Sequence, residues 1–586
     1  MAHTPMFSRL RRLARRALWA RRQGATTVEE VDALAATGAA RGLSRRGLGH
    51  TAALAVAALA TGAGGCGDDG DDASAGESGS NSDAGGHGEA RVVVVGGGVA
   101  GIHCAYRLAQ AGVRATVYDA WSRIGGRTYS TSEGAPAGMV LELGGEFIDT
   151  NHATLWQLAG ELGIDLDDRH DGVPSAEVWW VDGAAVPEAT ILAQLVDVAP
   201  QLVADFEAAE ADDAAYEALD RMTLKGWLET YAPLATHREL HVVLDVAYRG
   251  EYGLENAEQS ALNLIYLLGD DTDDFRIFGD SDERYHAHGG NQRFVTEMAA
   301  TLDDAQIVLE RRLVAARDGD AGGFVLTFAD ASGGEVEVEA DHVVFALPYN
   351  LLRACDLSGL TLSAEKRTII DELGYGTNAK VMGNFTSPVW RDVHGSSGSV
   401  TADLGFQQSW DTSIGQGGPE GIMTDFLGGQ AGLDCGEGTA EAWYTGQVLP
   451  ALEAIFPGAQ AAYIAGSAAR MHWPTAPHHR GSYTCYKPGQ WAFWALEGVR
   501  EGDLHFCGEH CSPEFQGWME GAAETGGLVA AEILDDLGVA ASPAHRALID
   551  RLTARAPHPC YHGDRAPRLR WAERRRLLRR RGLGAL

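Results

Sequence analysis

Residues 91–119 read RVVVVGGGVAGIHCAYRLAQAGVRATVYD, and this stretch decides the fold. Arg91 precedes four valines, Val92–Val95, a continuous β-branched run that predicts a strand buried on both faces of a parallel sheet. Gly96, Gly98 and Gly101 follow in the spacing G-x-G-x-x-G. Gly96 permits a tight turn, Gly98 lets the backbone approach a pyrophosphate, and Gly101 allows a helix to pack closely on the strand. The residues from Ile102 predict that helix, apolar at Ile102, Ala105, Leu108 and Ala109 and stopped at Gly112. Its first turn, at Val99 and Ala100, offers free N–H groups and the positive end of the helix dipole to phosphate oxygens. Ala115–Tyr118 predicts a second strand. It ends at Asp119, placed to accept from ribose hydroxyls, with Ala120 beside it. Strand, glycine turn, helix, strand and acid together predict a dinucleotide site in an α/β, Rossmann-type fold.

The chain has 586 residues, enough for several packed units. Its net charge of −34 is uneven: residues 1–50 carry +7, residues 551–586 carry +9, and the 500 residues between carry −50. So acidic a body argues against nucleic acid as a partner and draws cationic small molecules. The eight cysteines, at 66, 104, 355, 435, 485, 507, 511 and 560, show no CxxC pair and no framework spacing. They read as free thiols, and no metal site is expected.

Residues 44–66, SRRGLGHTAALAVAALATGAGGC, place Arg45-Arg46 before a short run of small apolar residues. The run is too short for a bilayer span and resembles a twin-arginine export signal. Cys66 after Gly64-Gly65 resembles a lipoprotein cleavage site, which makes a lipid anchor at Cys66 and a periplasmic, surface or extracellular location the expectation. Residues 67–89 are rich in Gly, Ser and Asp and predict a flexible tether. The Arg-rich stretch within 541–586 reads as a basic C-terminal tail.

Arg123-Ile-Gly125-Gly126-Arg127, just past Asp119, resembles the RxGGR element of the flavin amine oxidases, the family of monoamine, polyamine and L-amino acid oxidases. The resemblance implies FAD, with Gly125 and Gly126 bringing a second loop to the pyrophosphate and Arg127 adding charge. Two departures stand out: Asp119 where the family usually has Glu, and Trp121 where an Arg commonly grips the cofactor. Far along the chain, Leu504–His510 (LHFCGEH) and Phe515–Ala522 (FQGWMEGA) resemble the family's C-terminal segment. There Gly508 and Glu509 match positions near the ribityl and phosphate groups, and Met519 one near the flavin. His288–Gln292, Ile307–Leu309 with Leu313, the hairpin pattern 324–338 and Val343–Pro348 resemble the family's intervening elements, Leu313 on the adenine side. The resemblance implies an FAD-binding domain assembled from 90–165, 286–349 and 481–540, and an α+β substrate domain from 166–285 and 350–480.

The reacting side of the flavin is also implied by resemblance. Lys380 in Gly376–Phe385 matches a lysine that reaches flavin N5 through a water and assists reoxidation. Trp473 and Gly481–Gly489 resemble the segment that, with Trp518, supplies two facing aromatics; Tyr483 and Trp518 match that pair. Ser482 stands where monoamine oxidases carry a flavin-linked cysteine, so the FAD is expected to be non-covalent. The implied chemistry passes hydride from the α-carbon of a deprotonated amine to N5. The imine then hydrolyses to aldehyde or keto acid plus ammonia, and oxygen leaves as hydrogen peroxide.

Leu141–Ile148 (LELGGEFI), with Gly144, Gly145 and Glu146, matches a segment near the flavin ring. L-amino acid oxidases carry a carboxylate-gripping arginine there, and this chain has Glu146 and Phe147. A glutamate disfavours a carboxylate, so a primary amine is the expected substrate; the other reading of Glu146 is a structural pairing with Arg127 or Lys380. The alternatives are an L-amino acid oxidase, with an arginine such as Arg249 as the grip, and a flavin dehydrogenase or desaturase of the same fold. The sequence leaves the oligomeric state open.

Overall fold

The computed structural model describes residues 90–174, 176–268 and 281–554, together with Thr27 and Glu30. The expected export signal, Cys66, the tether 67–89 and the Arg-rich residues from 565 onward lie outside the described residues.

Val92–Val95 is the central strand of a five-stranded parallel sheet. It pairs on one side with Ala115–Tyr118, which in turn pairs with Ile307–Val308. On the other side it pairs with His342–Phe345 and, beyond that, Leu504–Phe506. All four valines are buried, each contributing about 1.5–3 kcal/mol of transfer free energy, which is why a polar-free run suits this position. Three separate stretches of chain thus meet in one sheet.

The helix Val99–Gln110 starts directly at the glycine turn, with Gly98 as its N-cap and no acid in its first turn. Helix Met519–Asp536 packs against it backbone to backbone: a Cβ on Gly526 would lie 2.3 Å from Ala100 O. His103 Nδ1 sits 2.6 Å from Ala523 O across the same contact. This close packing brings Gly508, Glu509 and Met519 beside the glycine turn more than 400 positions away.

A separate seven-stranded sheet runs in the order Ala469–His472, Ala379–Phe385, Gly421–Leu427, Gln408–Asp411, Ser396–Ala402, Ala176–Val181, Ala184–Ala185. Five helices lie between Glu188 and Leu268, and one of them, Arg238–Tyr252, packs on this sheet. The region 166–285 is mainly helical but lends two strands, Ala176–Val181 and Ala184–Ala185, to the sheet of the other piece.

Two sequence expectations shift. Ile307–Val308 and Leu313 do not share a strand: Glu310 takes φ +55°, turning the chain, and Arg312–Asp318 opens a four-stranded sheet with Phe324–Ala329, Glu335–Ala340 and Asp356–Gly359. Residues 543–554, assigned to the basic tail, form a helix against Met519–Asp536. Leu548 and His545 are buried there because an apolar stripe outweighs the local charge.

Candidate active site

A continuous cleft enclosing about 240 Å³ runs from the C-terminal ends of the parallel strands to the seven-stranded sheet. Ligands collect at such strand ends because helix N-termini and glycine turns cluster there. Gly96, Gly98, Val99, Ala100, Asp119, Ala120, Gly125, Gly126, Arg127 and Leu313 line one end. Gly144, Gly145, Glu146, Lys380, Trp473, Tyr483, Gly508, Glu509, Trp518 and Met519 line the rest. The structure therefore brings together every sequence-predicted site residue except Gly101. Gly101 lies outside the cleft: its Cβ would be 2.0 Å from Gly96 O, so it serves the strand–helix packing alone.

At the first end, Gly96 holds φ +114° and a Cβ there would strike Ala346 O at 2.6 Å. Asp119 Oδ2 accepts from Gly97 N at 2.6 Å and Oδ1 from Trp121 N at 2.7 Å. Burial holds the Asp119 carboxyl above its ordinary range despite these bonds. Gly125 N donates to Gly97 O at 2.8 Å, which locks the second glycine loop against the first. The Arg123 guanidinium lies between the Trp121 and Tyr129 rings, 3.9 Å and 3.8 Å from their centroids. Trp121, the departure noted in the sequence, is thus a stacking platform for Arg123. Burial lowers the Arg123 pKa to about 10.

In the middle, Arg127 Nη1 donates to Glu509 Oε1 and to Ser482 O, both at 2.7 Å. Glu509 also accepts from Gly517 N at 2.8 Å and Thr484 Oγ1 at 3.2 Å. Burial pushes its carboxyl up, and Arg127 together with the other groups around it brings it below its ordinary value. Arg127 and Glu509 therefore act as one unit that joins the second glycine loop to the C-terminal segment.

At the other end five rings, Phe147, Trp410, Phe426, Tyr483 and Trp518, form one buried cluster. Trp410 stands 5.2 Å from Phe147 and 5.3 Å from Phe426, centroid to centroid. Tyr483 Oη donates to Glu251 O at 2.8 Å, and the His152 ring meets Trp518 edge-on at 4.7 Å. Lys380 sits at the floor of this cage, on the inner strand Ala379–Phe385. Its Nζ donates to Glu142 O at 3.0 Å, Gly144 O at 2.9 Å and Glu146 Oε2 at 2.8 Å.

The chain matches the model of the flavin-containing amine oxidoreductases over residues 99–534. It belongs to that family. It is 28% identical to the putrescine oxidase of Kocuria rosea over 362 residues, 58% of this chain and 73% of that one. It is 25% identical to the flavin-containing amine oxidase A of Equus caballus over 481 residues, 76% of this chain and 85% of that one. Its fold is similar to the cyclohexylamine oxidase structure from Brevibacterium oxydans, with a TM-score of 0.66 and 22% identity, covering 77% of this chain and all of that one.

As a flavin-containing amine oxidoreductase it takes FAD and acts on amine donors. The cleft fits that cofactor. Gly98 has an ordinary φ of −76°, and a Cβ there would meet nothing nearer than Gly125 O at 4.0 Å. Neither conformation nor internal packing requires glycine at this position. A ligand pressed against the backbone does.

Sequence reading missed several residues of this amine oxidoreductase's cleft. Trp410 and Phe426 complete the cage from strands that no motif marks, while Arg311, Arg312, His478, His479 and Arg480 line the Asp119 end. The role given to Glu146 changes. It is not an open negative charge toward substrate, because Lys380 Nζ, Trp410 Nε1 at 2.9 Å and Thr412 Oγ1 at 2.9 Å hold it. Burial pushes its carboxyl up, and Lys380 with Arg169 brings it below the ordinary value. Arg249, the candidate grip for an amino acid, is ion-paired with Asp245 at 2.7 Å and lies away from the cleft lining.

Proposed function

We propose that this chain is a primary-amine oxidase with non-covalently held FAD and oxygen as acceptor, acting outside the cytoplasm. The observation that carries the reading is the five-ring cage over Lys380, where Lys380 is already paired with Glu146, as Arg127 in the middle of the cleft is with Glu509. Among the described residues that line this end, no cation lacks a carboxylate partner; the Arg169 guanidinium stacks on Phe147 from outside the lining. This favours an amine over an amino acid.

FAD, when bound, supplies the acceptor for the two electrons and the hydrogen that leave the amine carbon. The chain's own residues do the rest. The glycine loops at Gly96–Gly98 and Gly125–Gly126, with the helix N-terminus at Val99, cradle the diphosphate. Asp119 would accept from the ribose hydroxyls. The rings of Phe147, Trp410, Phe426, Tyr483 and Trp518 exclude water and hold the amine in one orientation. Their low polarity disfavours an ammonium, so the cage itself promotes loss of the amine proton that oxidation requires. Lys380 fixes a positive charge beside Gly144, partly balanced by Glu146. For the non-covalent link, Ser482 Oγ is engaged with Asn378 Oδ1 at 2.6 Å, and the cysteine that lines the cleft, Cys355, sits at the Leu313 end with its thiol pushed up to about 11 by burial. The proposed export rests on Arg45-Arg46 and the apolar run before Cys66.

The test is turnover in air across primary amines and the α-amino acids with the same side chains. Aldehyde and peroxide formed one for one, with the amine at least tenfold ahead in kcat/KM, is the expected result. Turnover that needs an added artificial acceptor would overturn oxygen as the acceptor, and amino acids in the lead would overturn the substrate class.

A further inference from the structure

At the edge of the parallel sheet away from the cleft, three distant parts of the chain bring metal-binding side chains together. His342 begins its strand, His505 lies in the neighbouring strand, and Asp536 ends the helix that covers both. Their ligand atoms all lie within 4.8 Å of one another. The register Val344↔His505 puts both imidazoles on one face of the sheet, and both are buried.

We propose that His342, His505 and Asp536 bind a zinc ion that staples the FAD domain. The distance between His342 Nδ1 and His505 Nε2 is 3.4 Å. Two Zn–N bonds of about 2.0–2.1 Å at a tetrahedral angle span about 3.3–3.4 Å, so the nitrogens already stand at the separation a shared zinc requires. His505 is prepared for this role. Its Nδ1 donates to the buried Glu532 Oε2 at 2.9 Å, which fixes the tautomer whose Nε2 carries the lone pair. Without metal, His342 Nδ1–H donates to that lone pair. With metal, the proton moves to His342 Nε2 and the cation takes its place.

Asp536 supplies the oxygen ligand and is held by Arg500 through two bonds of 2.6 Å and 3.1 Å. Asp503 Oδ1, 3.9 Å from His342 Nδ1, is the candidate fourth ligand, directly or through water. Three carboxylates, Asp503, Glu532 and Asp536, surround the position against one guanidinium, Arg500, so the surroundings are net negative before the dication arrives. Neutral imidazole with carboxylate is a donor set suited to zinc. No cysteine or histidine spacing in the sequence signals the site, because its ligands come from three segments.

The experiment uses the FAD-loaded protein, dialysed against a chelator, re-exposed to zinc sulfate and desalted. Expected are about one zinc per chain, nitrogen and oxygen neighbours at the zinc X-ray absorption edge, and a higher melting temperature than the chelated protein. The variants His342→Gln and Asp536→Asn should lose zinc retention at least tenfold while keeping FAD and amine turnover. Asp536 is exposed, so its variant folds even where a histidine change does not. No zinc retained by the native protein, or the same zinc content in both variants, overturns the proposal.

Discussion

Lys380 Nζ lies 2.8 Å from Glu146 Oε2, an ion pair 234 positions apart in sequence and buried under the aromatic cage. Its partners Trp410 and Thr412 hold the glutamate, and two backbone carbonyls take the lysine's other protons. A lysine so fixed keeps one position under the cage.

Breaking this pair from one side leaves a buried cation without its counter-charge, a change that costs about 3–5 kcal/mol. Glu146→Gln is therefore expected to lower the unfolding free energy of the FAD-loaded protein by about that much, read from denaturant titration. Adding Lys380→Met should restore part of the loss. Equal stability of Glu146→Gln and the native protein would show that the pair contributes nothing.

Lys380→Met alone should separate the two halves of the reaction. Anaerobic reduction by amine is expected to change less than tenfold, while reoxidation by oxygen slows tenfold or more, about 1.4 kcal/mol or greater. Stopped-flow absorbance measures both, and unchanged reoxidation would remove the lysine from that step.

Gly98→Ala tests the cradle. Its Cβ has room within the protein, so the variant should fold with native stability yet bind FAD at least tenfold more weakly. Gly101→Ala, with Gly96 O only 2.0 Å from the new atom, should instead fail to fold. Equal FAD affinity in Gly98→Ala and the native protein would place the diphosphate elsewhere.

Much of this was legible in the sequence because it is local. The valine run, the glycine turn and the helix after it fall within 20 residues and follow from backbone geometry alone. Lys380, Tyr483 and Trp518 were legible through motif resemblance. The cage's other walls were not: Trp410 and Phe426 lie on adjacent strands with no distinguishing spacing, and only the sheet register brings them over Lys380. Glu146 was seen with two roles open, a charge toward substrate or a pairing with Arg127 or Lys380, and only the fold decides for Lys380, 234 positions away. Trp121 likewise looked like a lost arginine until the fold set Arg123 on its face.

Glu509 gives a pH dependence with a defined sign. Burial would raise its carboxyl, and Arg127 together with the other groups around it brings it below the ordinary value of 4.5. Its contribution to stability is thus complete above about 4.5 and is lost as pH falls through the lower folded value. FAD retention is expected to weaken on acidification below about pH 4.5. Glu509→Gln should retain FAD less well at pH 7 and lose little more in acid. A variant with the same acid profile as the native protein would assign the transition to other groups.

The most direct measurement is the colour of the purified protein mixed anaerobically with a primary amine. The account predicts a yellow protein whose flavin absorbance bleaches with the amine, persists with the matching α-amino acid, and leaves with the cofactor on acid precipitation. A colourless protein, bleaching by the amino acid alone, or flavin that stays with the precipitate would contradict it.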